Sequence, residues 1–342
     1  MGVVRLQEIW HAEIEEVQRA LLSCAGIRGG KEDAVPGDWK ATAGGNNDAV
    51  YGEKVVCVTG GVSFLGVAVV SRLLNSGYDV RLLVANEVER EKVREMELWR
   101  DTRVANRHVS VVMAELGDVQ SLSEAFEGCR GVFHTAAFVD PAGVSGYSKA
   151  MADVEVKTTA SVMEACGRSS SVRNCVLTSS LLACIWRDKS RPDLSSKLWY
   201  ALGKVRAEKA AWRIAAERGF NLVTVCPGLI TGPDLSLRNP TATIAYLKGV
   251  REMYADGLLA TVDVNRLAEA HVRVFEAMNK AAFGRYICFD RVIRREEEAE
   301  KLTEEAGIPT TVRTVGNSPF PFELSDIKLS GLVFSAVRCK EC

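Results

Sequence analysis

The sequence predicts an α/β protein built on a doubly wound parallel sheet, and three observations predict it. From Lys54 onward, short β-branched runs alternate with amphipathic helical stretches. The strand-like runs are apolar almost throughout, as strands covered on both faces are. The first of them opens directly into a glycine-rich turn and then a helix. Strand and helix alternating in this way call for right-handed crossovers and helices on both faces of the sheet. With 342 residues and 47% apolar content, the chain can bury the core such a sheet needs.

The elements follow in order. Leu6, Ile9, Trp10, Ile14, Val17, Leu21 and Leu22 recur at helical spacing, and residues 26–52 are rich in Gly, Asp, Asn and Lys. Residues 1–52 are therefore expected to form an N-terminal helical extension and a linker. Two roles stand open for that helix, packing on the domain surface or docking a partner protein. Residues 53–235 hold the main strands, KVVCVTGG, DVRLLVA, HVSVVMAEL, GVFHTAAFV, NCVLTSSLLA and NLVTVCPGLI. After Pro233 the pattern loosens. Helical stretches near 241–248, 264–278 and 294–305 interleave with strand-like GRYICFD and TTVRTV. Residues 236–342 are expected to be a smaller C-terminal α/β portion that binds substrate over the strand ends.

Composition narrows the function. Forty-three basic against 44 acidic residues leave a net charge of -1, which provides no general attraction for nucleic acid or an anionic membrane. No signal peptide and no apolar run of ~18 residues is expected, which points to the cytoplasm. Of ten cysteines, Cys57, Cys175, Cys226 and Cys288 fall inside apolar strand runs, where a thiol behaves as a small hydrophobe. The one C-x-x-C, Cys339 to Cys342, lacks a second pair or a nearby histidine, so no metal site is expected.

The turn VTGGVSFLG, residues 58–66, is placed between a strand and a helix as in a dinucleotide-binding Rossmann unit. Gly60 permits a tight turn, the helix N-terminus offers N–H groups to a pyrophosphate, and Gly66 allows close helix–strand approach. Ser63 replaces a glycine here and is expected to crowd the phosphate or resist a positive φ. A glycine-rich turn without nucleotide is the alternative. At the end of the second strand stand Ala85 and Asn86 rather than an acid, with Arg81, Arg90 and Lys92 nearby. That favours the 2′-phosphate of NADP over NAD. Glu115, ending the third strand, is placed to contact adenine or simply to face solvent.

NCVLTSS ends in Ser179 and Ser180, and LWYALGKVRAEKAAW follows with Tyr200 and Lys204 one helical turn apart. A lysine beside a tyrosine is expected to lower the phenol's pKa so that Tyr200 donates a proton as hydride arrives. Ser180 would hold the carbonyl oxygen, and Lys204 the nicotinamide ribose. The competing assignments are a helix-cap hydroxyl for Ser180 and a surface lysine for Lys204. Tyr147, Tyr246 and Tyr254 lack a lysine four residues on, and His134 reads as a satisfied core histidine.

Together, VTGGVSFLG, GCRGVFHTAAFVDPAG, NCVLTSS, KLWYALGK, VCPGLITGP, TVDVNRLAEAHV and GRYICFD resemble the extended short-chain dehydrogenase/reductases. Within them the chain is similar to the cinnamoyl-CoA reductase and dihydroflavonol reductase group from about Lys54 to the C-terminus. The resemblance implies hydride delivery from NADPH to a carbonyl or thioester carbon of a phenylpropanoid, in lignin or defence phenolic metabolism. Ser180, Tyr200 and Lys204 would be the catalytic triad. Thr59, Gly60, Ser63, Phe64, Leu65, Gly66, Arg81, Glu115, Leu116, Ala136, Lys204 and Pro227 would bind the cofactor, Pro227 beside the nicotinamide. Against NWYCYGK of the group, this chain has Leu198, Ala201 and Leu202. Ala85 replaces its usual arginine, Ala242 and Ala245 stand near its expected histidine and lysine, and the stretch between Ser180 and Tyr200 is short. A non-catalytic NADP(H)-binding interaction protein of the same fold is the alternative.

Overall fold

A computed structural model describes residues 54–95, 108–137, 147–185, 195–233, 240–307 and 322–338. The expected N-terminal helix, TTVRTV, the terminal C-x-x-C and the short stretch before Tyr200 (186–194) lie outside the described residues. In chain order the elements are β1 (Val55–Thr59), α1 (Phe64–Asn75), β2 (Asp79–Val84), α2 (Glu87–Glu95), β3 (Val109–Met113), α3 (Val119–Phe126) and β4 (Gly131–His134). Next come α4 (Lys149–Arg168), β5 (Asn174–Thr178), α5 (Leu181–Ile185), α6 (Ser195–Arg218), β6 (Asn221–Pro227) and β7 (Leu229–Thr231). The chain continues through α7 (Pro240–Leu247), α8 (Val250–Ala255), β8 (Ala260–Asp263), α9 (Val264–Ala277), β9 (Gly284–Cys288) and β10 (Arg291–Val292). Helices α10 (Glu296–Glu305) and α11 (Ile327–Arg338) complete it.

The main sheet has seven parallel strands in the order β3-β2-β1-β4-β5-β6-β9. Alternation along each strand sorts side chains to the two faces. Val56, Val58, Phe133, Val176 and Val223 meet α1 and α9 in one core cluster. Cys57, Val132, Cys175, Leu177 and Leu222 meet α3, α4 and α6 in another. The cysteines of the described residues are unbridged and buried, Cys57, Cys175, Cys226 and Cys288 among them. Strand order reverses between β1 and β4, so the carboxyl ends of these two strands open a crevice, where ligands of such sheets bind.

The portion after residue 236 is not confined to one side of the molecule. Strand β9 continues the main sheet, pairing from Val223↔Gly284 to Pro227↔Cys288, and α9 packs on α1. Both are apolar enough to be drawn into the large core. A three-stranded sheet, β10-β8-β7, stands beyond the main one. A third cluster joins Tyr147, Tyr200, Tyr246, Met253 and Leu259 beneath it.

Candidate active site

The turn after β1 is shaped by close contacts that exclude side chains. Gly60 has φ 68°, and a Cβ there would lie 2.6 Å from the Ala136 Cα at the end of β4. A Cβ on Gly66 would meet the Gly60 carbonyl oxygen at 2.0 Å. Two strand ends and a helix start are thus drawn together, leaving the first turn of α1, at Phe64 and Leu65, with N–H groups that have no intrahelical acceptor. Ser63 corrects the expectation placed on it. Its φ of -76° and ψ of 166° are extended, and its side chain caps α1 by accepting from the Gly66 N–H at 3.0 Å. The left-handed residue of this turn is Gly60, so no glycine is needed at 63.

Other cofactor candidates are redistributed. Thr59 is fully buried, its hydroxyl 2.7 Å from His134 Nδ1 and its carbonyl accepting from the Thr135 hydroxyl at 2.8 Å, so it braces the turn from behind. The sequence places Arg81 beside the 2′-phosphate, and the structure corrects this. Its guanidinium donates to the carbonyls of Ala125 and Glu127 at 2.8 and 2.7 Å. Those carbonyls close α3 beside the amino ends of the strands, where Arg130 N bonds Val55 O, on the far edge of the sheet from the glycine turn. Where β2 ends, the Ala85 N–H donates to the Glu89 carboxylate at 2.8 Å and the Asn86 side chain accepts from Glu89 N at 2.9 Å. Arg90 pairs with Glu87 at 3.1 Å. Glu115 is exposed after β3, Leu116 packs against the core, and Pro227 is buried at the end of β6.

Beyond the crevice, β5 runs into Ser179, whose N–H donates to Val225 O at 2.8 Å, and then into Ser180. The Ser180 hydroxyl accepts from Leu182 N at 3.2 Å, so it does cap α5, and it also hydrogen-bonds Tyr200. Ser179 Oγ is buried with no hydrogen-bond partner among the described residues. Tyr200, Lys204 and Ser180 are all buried, which excludes Lys204 as a solvated surface lysine. Its Nζ lies 5.8 Å from the Tyr200 ring centroid.

Two acids in this region are not singled out by the sequence pattern. Glu155, on α4, forms a buried ion pair with Lys204 and accepts from the Tyr147 hydroxyl. Glu208, one turn beyond Lys204, forms a second buried pair with Arg285 of β9 and accepts from the Cys226 thiol at 3.6 Å. A signal exists for the first. Residue 155 falls on the buried stripe of α4 with Met151, Ala152, Thr159 and Val162, and a charge on an apolar stripe requires a partner.

Burial pushes the Tyr200 phenol up, against the Lys204 ammonium and the Ser180 hydrogen bond, which pull it down, and with Glu155, which adds to the rise. The expected lowering of this tyrosine is therefore overturned: desolvation outweighs the neighbouring cation. Burial alone would lower Lys204, but Glu155 and Tyr200 outweigh it and the ammonium is held above its ordinary range. His134, bonded to Thr59 and 3.5 Å from the Thr159 hydroxyl, is pushed down to about 3 by burial and by Lys204. It is a neutral core histidine, as the sequence predicts. A polar cavity lies among His134, Glu155, Thr159, Ser179, Lys204 and Glu208.

The sequence pattern of the 3-beta hydroxysteroid dehydrogenase/isomerase family matches residues 57–191. Cinnamoyl-CoA reductase 1 of Petunia hybrida is 35% identical over 83% of this chain and 89% of its own length. Tetraketide alpha-pyrone reductase 1 of Arabidopsis thaliana is 32% identical over 83% and 91%. Among solved structures, vestitone reductase from alfalfa (Medicago sativa L.) aligns with TM-score 0.55 and 25% identity over 82% of this chain and 92% of its own. The chain belongs to the cinnamoyl-CoA reductase family of extended short-chain dehydrogenase/reductases and is an NADP-dependent oxidoreductase.

Proposed function

We propose that the chain reduces a phenylpropanoid CoA thioester or an aromatic aldehyde or ketone, with Ser180, Tyr200 and Lys204 as the reacting machinery. The observation that carries this reading is the buried contact of Ser180, Tyr200 and Lys204 beside the crevice that begins at Gly60. The glycine turn fits the cofactor's pyrophosphate, because Cβ atoms at Gly60 and Gly66 would fill the space the backbone leaves and the start of α1 presents N–H donors. NADPH supplies the hydride. Ser180 donates to the oxygen on which negative charge grows, and Tyr200, kept protonated by burial, delivers the proton. Lys204 stabilises the phenolate left behind and reaches toward the nicotinamide ribose. An aldehyde or ketone ends as an alcohol. A thioester ends as an aldehyde, the departing thiolate taking the proton.

The assignment of phenylpropanoid substrates, and a place in lignin or defence phenolic chemistry, rests on the relatives. A screen of NADPH consumption against hydroxycinnamoyl-CoA esters, cinnamaldehydes and dihydroflavonols tests it, and turnover of at least one class is expected. Silence across the panel, with NADPH binding measurable by fluorescence, overturns it. Tyr200→Phe is expected to abolish turnover with NADPH affinity nearly intact.

A further inference from the structure

We propose that Glu155 is a positioning residue for this reaction: held by Tyr147, its carboxylate fixes the Lys204 ammonium beside Tyr200 and sets the upper pH limit of proton delivery. The inference rests on the reading above, in which Tyr200 gives the proton.

Four buried side chains form a closed ring. Tyr200 and Lys204 stand one turn apart on α6, Lys204 pairs with Glu155 Oε1, Tyr147 donates to Glu155 Oε2, and Tyr147 meets Tyr200 edge-on with centroids 5.1 Å apart. Both carboxylate oxygens are occupied, one by a charge and one by a hydroxyl. Backbone packing brings the two helices close enough for this. Gly203, next to Lys204, faces Ala152 of α4, and a Cβ there would lie 3.1 Å from the Ala152 Cα. The glycine of LWYALGK thus places Glu155 against Lys204.

A lysine side chain has four flexible bonds and is costly to bury as a cation. Without an opposing charge, the Lys204 ammonium would lose its proton more readily, or its unanswered charge would favour the Tyr200 phenolate so that Tyr200 loses its proton at lower pH. Other groups facing the ring do not substitute for the carboxylate. His134 of β4 is buried and neutral, Glu208 of α6 is engaged by Arg285 of β9, and burial pushes the Tyr246 phenol of α7 up, with the buried Cys184 of α5 beside it. Ser180 bonds the tyrosine itself.

The experiment is the pH profile of kcat for NADPH-dependent reduction of the panel carbonyl turned over fastest, with full-length wild type, Glu155→Gln, Glu155→Asp and Tyr147→Phe. Reduction needs a protonated Tyr200 beside a charged Lys204, so activity falls on the alkaline side. In Glu155→Gln that limb is expected to move to lower pH by about one unit, whichever of the two groups gives up its proton. Glu155→Asp should restore part of the wild-type limb, and Tyr147→Phe should shift it in the same direction by less. An unmoved limb in Glu155→Gln, with kcat scaled equally at every pH or with only melting temperature lowered, overturns the proposal. Should Glu155→Gln not fold, the limb in Tyr147→Phe decides by the same criterion. Tyr200→Phe separates the two levels. If it stays active the proposed mechanism fails, and if it is inactive while the limb does not move, only the role of Glu155 fails.

Discussion

Replacing Glu208 with Gln should be among the most damaging conservative changes in this protein, and the reason is electrostatic. Glu208 and Arg285 have side chains 1% exposed, and they join α6, the helix of Tyr200 and Lys204, to the seventh strand of the sheet. Arg285 Nη2 meets the carboxylate, while Arg285 Nε and Nη1 have no acceptor among the described residues. Removing the carboxylate's charge strands a guanidinium whose remaining donors are already unsatisfied. Breaking such a pair costs about 3–5 kcal/mol, a large part of the ~5–15 kcal/mol that holds a typical domain folded. Arg285→Met should cost a comparable amount by stranding the acid. The double variant Glu208→Gln/Arg285→Met removes both charges and leaves only a neutral amide beside apolar atoms, so it should recover much of the loss. Urea denaturation of the four proteins gives the coupling directly. The expected coupling is at least ~3 kcal/mol, and losses that simply add would refute the view that the pair is a mutually dependent buried unit.

The remaining predictions concern the cofactor turn and acid stability. Gly66→Ala forces a methyl group to within 2.0 Å of the Gly60 carbonyl oxygen, so NADPH binding in a fluorescence titration should be lost or weakened at least ~10-fold, with overpacking costing about 1–3 kcal/mol of stability; wild-type affinity would contradict the tight turn. Ser63→Ala should lower stability by about 1 kcal/mol through loss of the cap on Gly66 N, whereas Ser63→Gly should cost only a few tenths. Ser63→Gly should also tighten NADPH by freeing that N–H for phosphate; equal affinities would show that the cap and the phosphate do not compete. His134 and His271 are buried and held near 3 and near 4, both mainly by desolvation. Because the unfolded chain takes up protons on them that the folded chain refuses, stability should fall as pH drops below ~6.5, by on the order of 3 kcal/mol between pH 6.5 and 5 for the pair. Denaturation at the two pH values, repeated with His134→Asn to remove about half the difference, measures this, and a pH-independent stability would exclude buried neutral histidines.

What is legible in the sequence follows from repetition and order. The apolar runs beginning KVVCV, DVRLLV, GVFH, NCVLT and NLVTV each form a parallel strand of the main sheet, because two covered faces leave little room for polar residues. Ser180, Tyr200 and Lys204 can be found because each stands at a fixed offset from a strand end or within a helical turn. Arg81 is misplaced by the sequence for a physical reason. Proximity along the chain shows that a cation is near the cofactor strand, but side chains alternate across a strand, and Arg81 leads to α3 rather than to the strand's carboxyl end. Strand β9 reads as part of a separate portion because its place in the sheet depends on pairing with β6, some sixty residues earlier, which local pattern does not encode. Glu155 and Arg285 look like ordinary charges when read singly. Only their partners, on α6, explain why they are buried.

These buried charges also change how Tyr200 would work in the proposed mechanism. From the sequence, a lysine one turn away should make Tyr200 more acidic, as suits a group that cycles easily between donor and acceptor. The structure supplies a lysine whose charge is already answered by Glu155, in a site dry enough that burial dominates. A phenol so held stays protonated throughout the physiological range, which favours giving a proton to a nascent alkoxide over taking one from an alcohol. On that proposal the cation would act chiefly after the proton has left, when it would face a newly formed phenolate in a low-dielectric site where the attraction is strongest. Stabilisation that appears only as charge develops lowers the barrier without tightening the ground state, and in the proposed mechanism Lys204, held in place and kept charged by Glu155, would provide it in the direction of reduction.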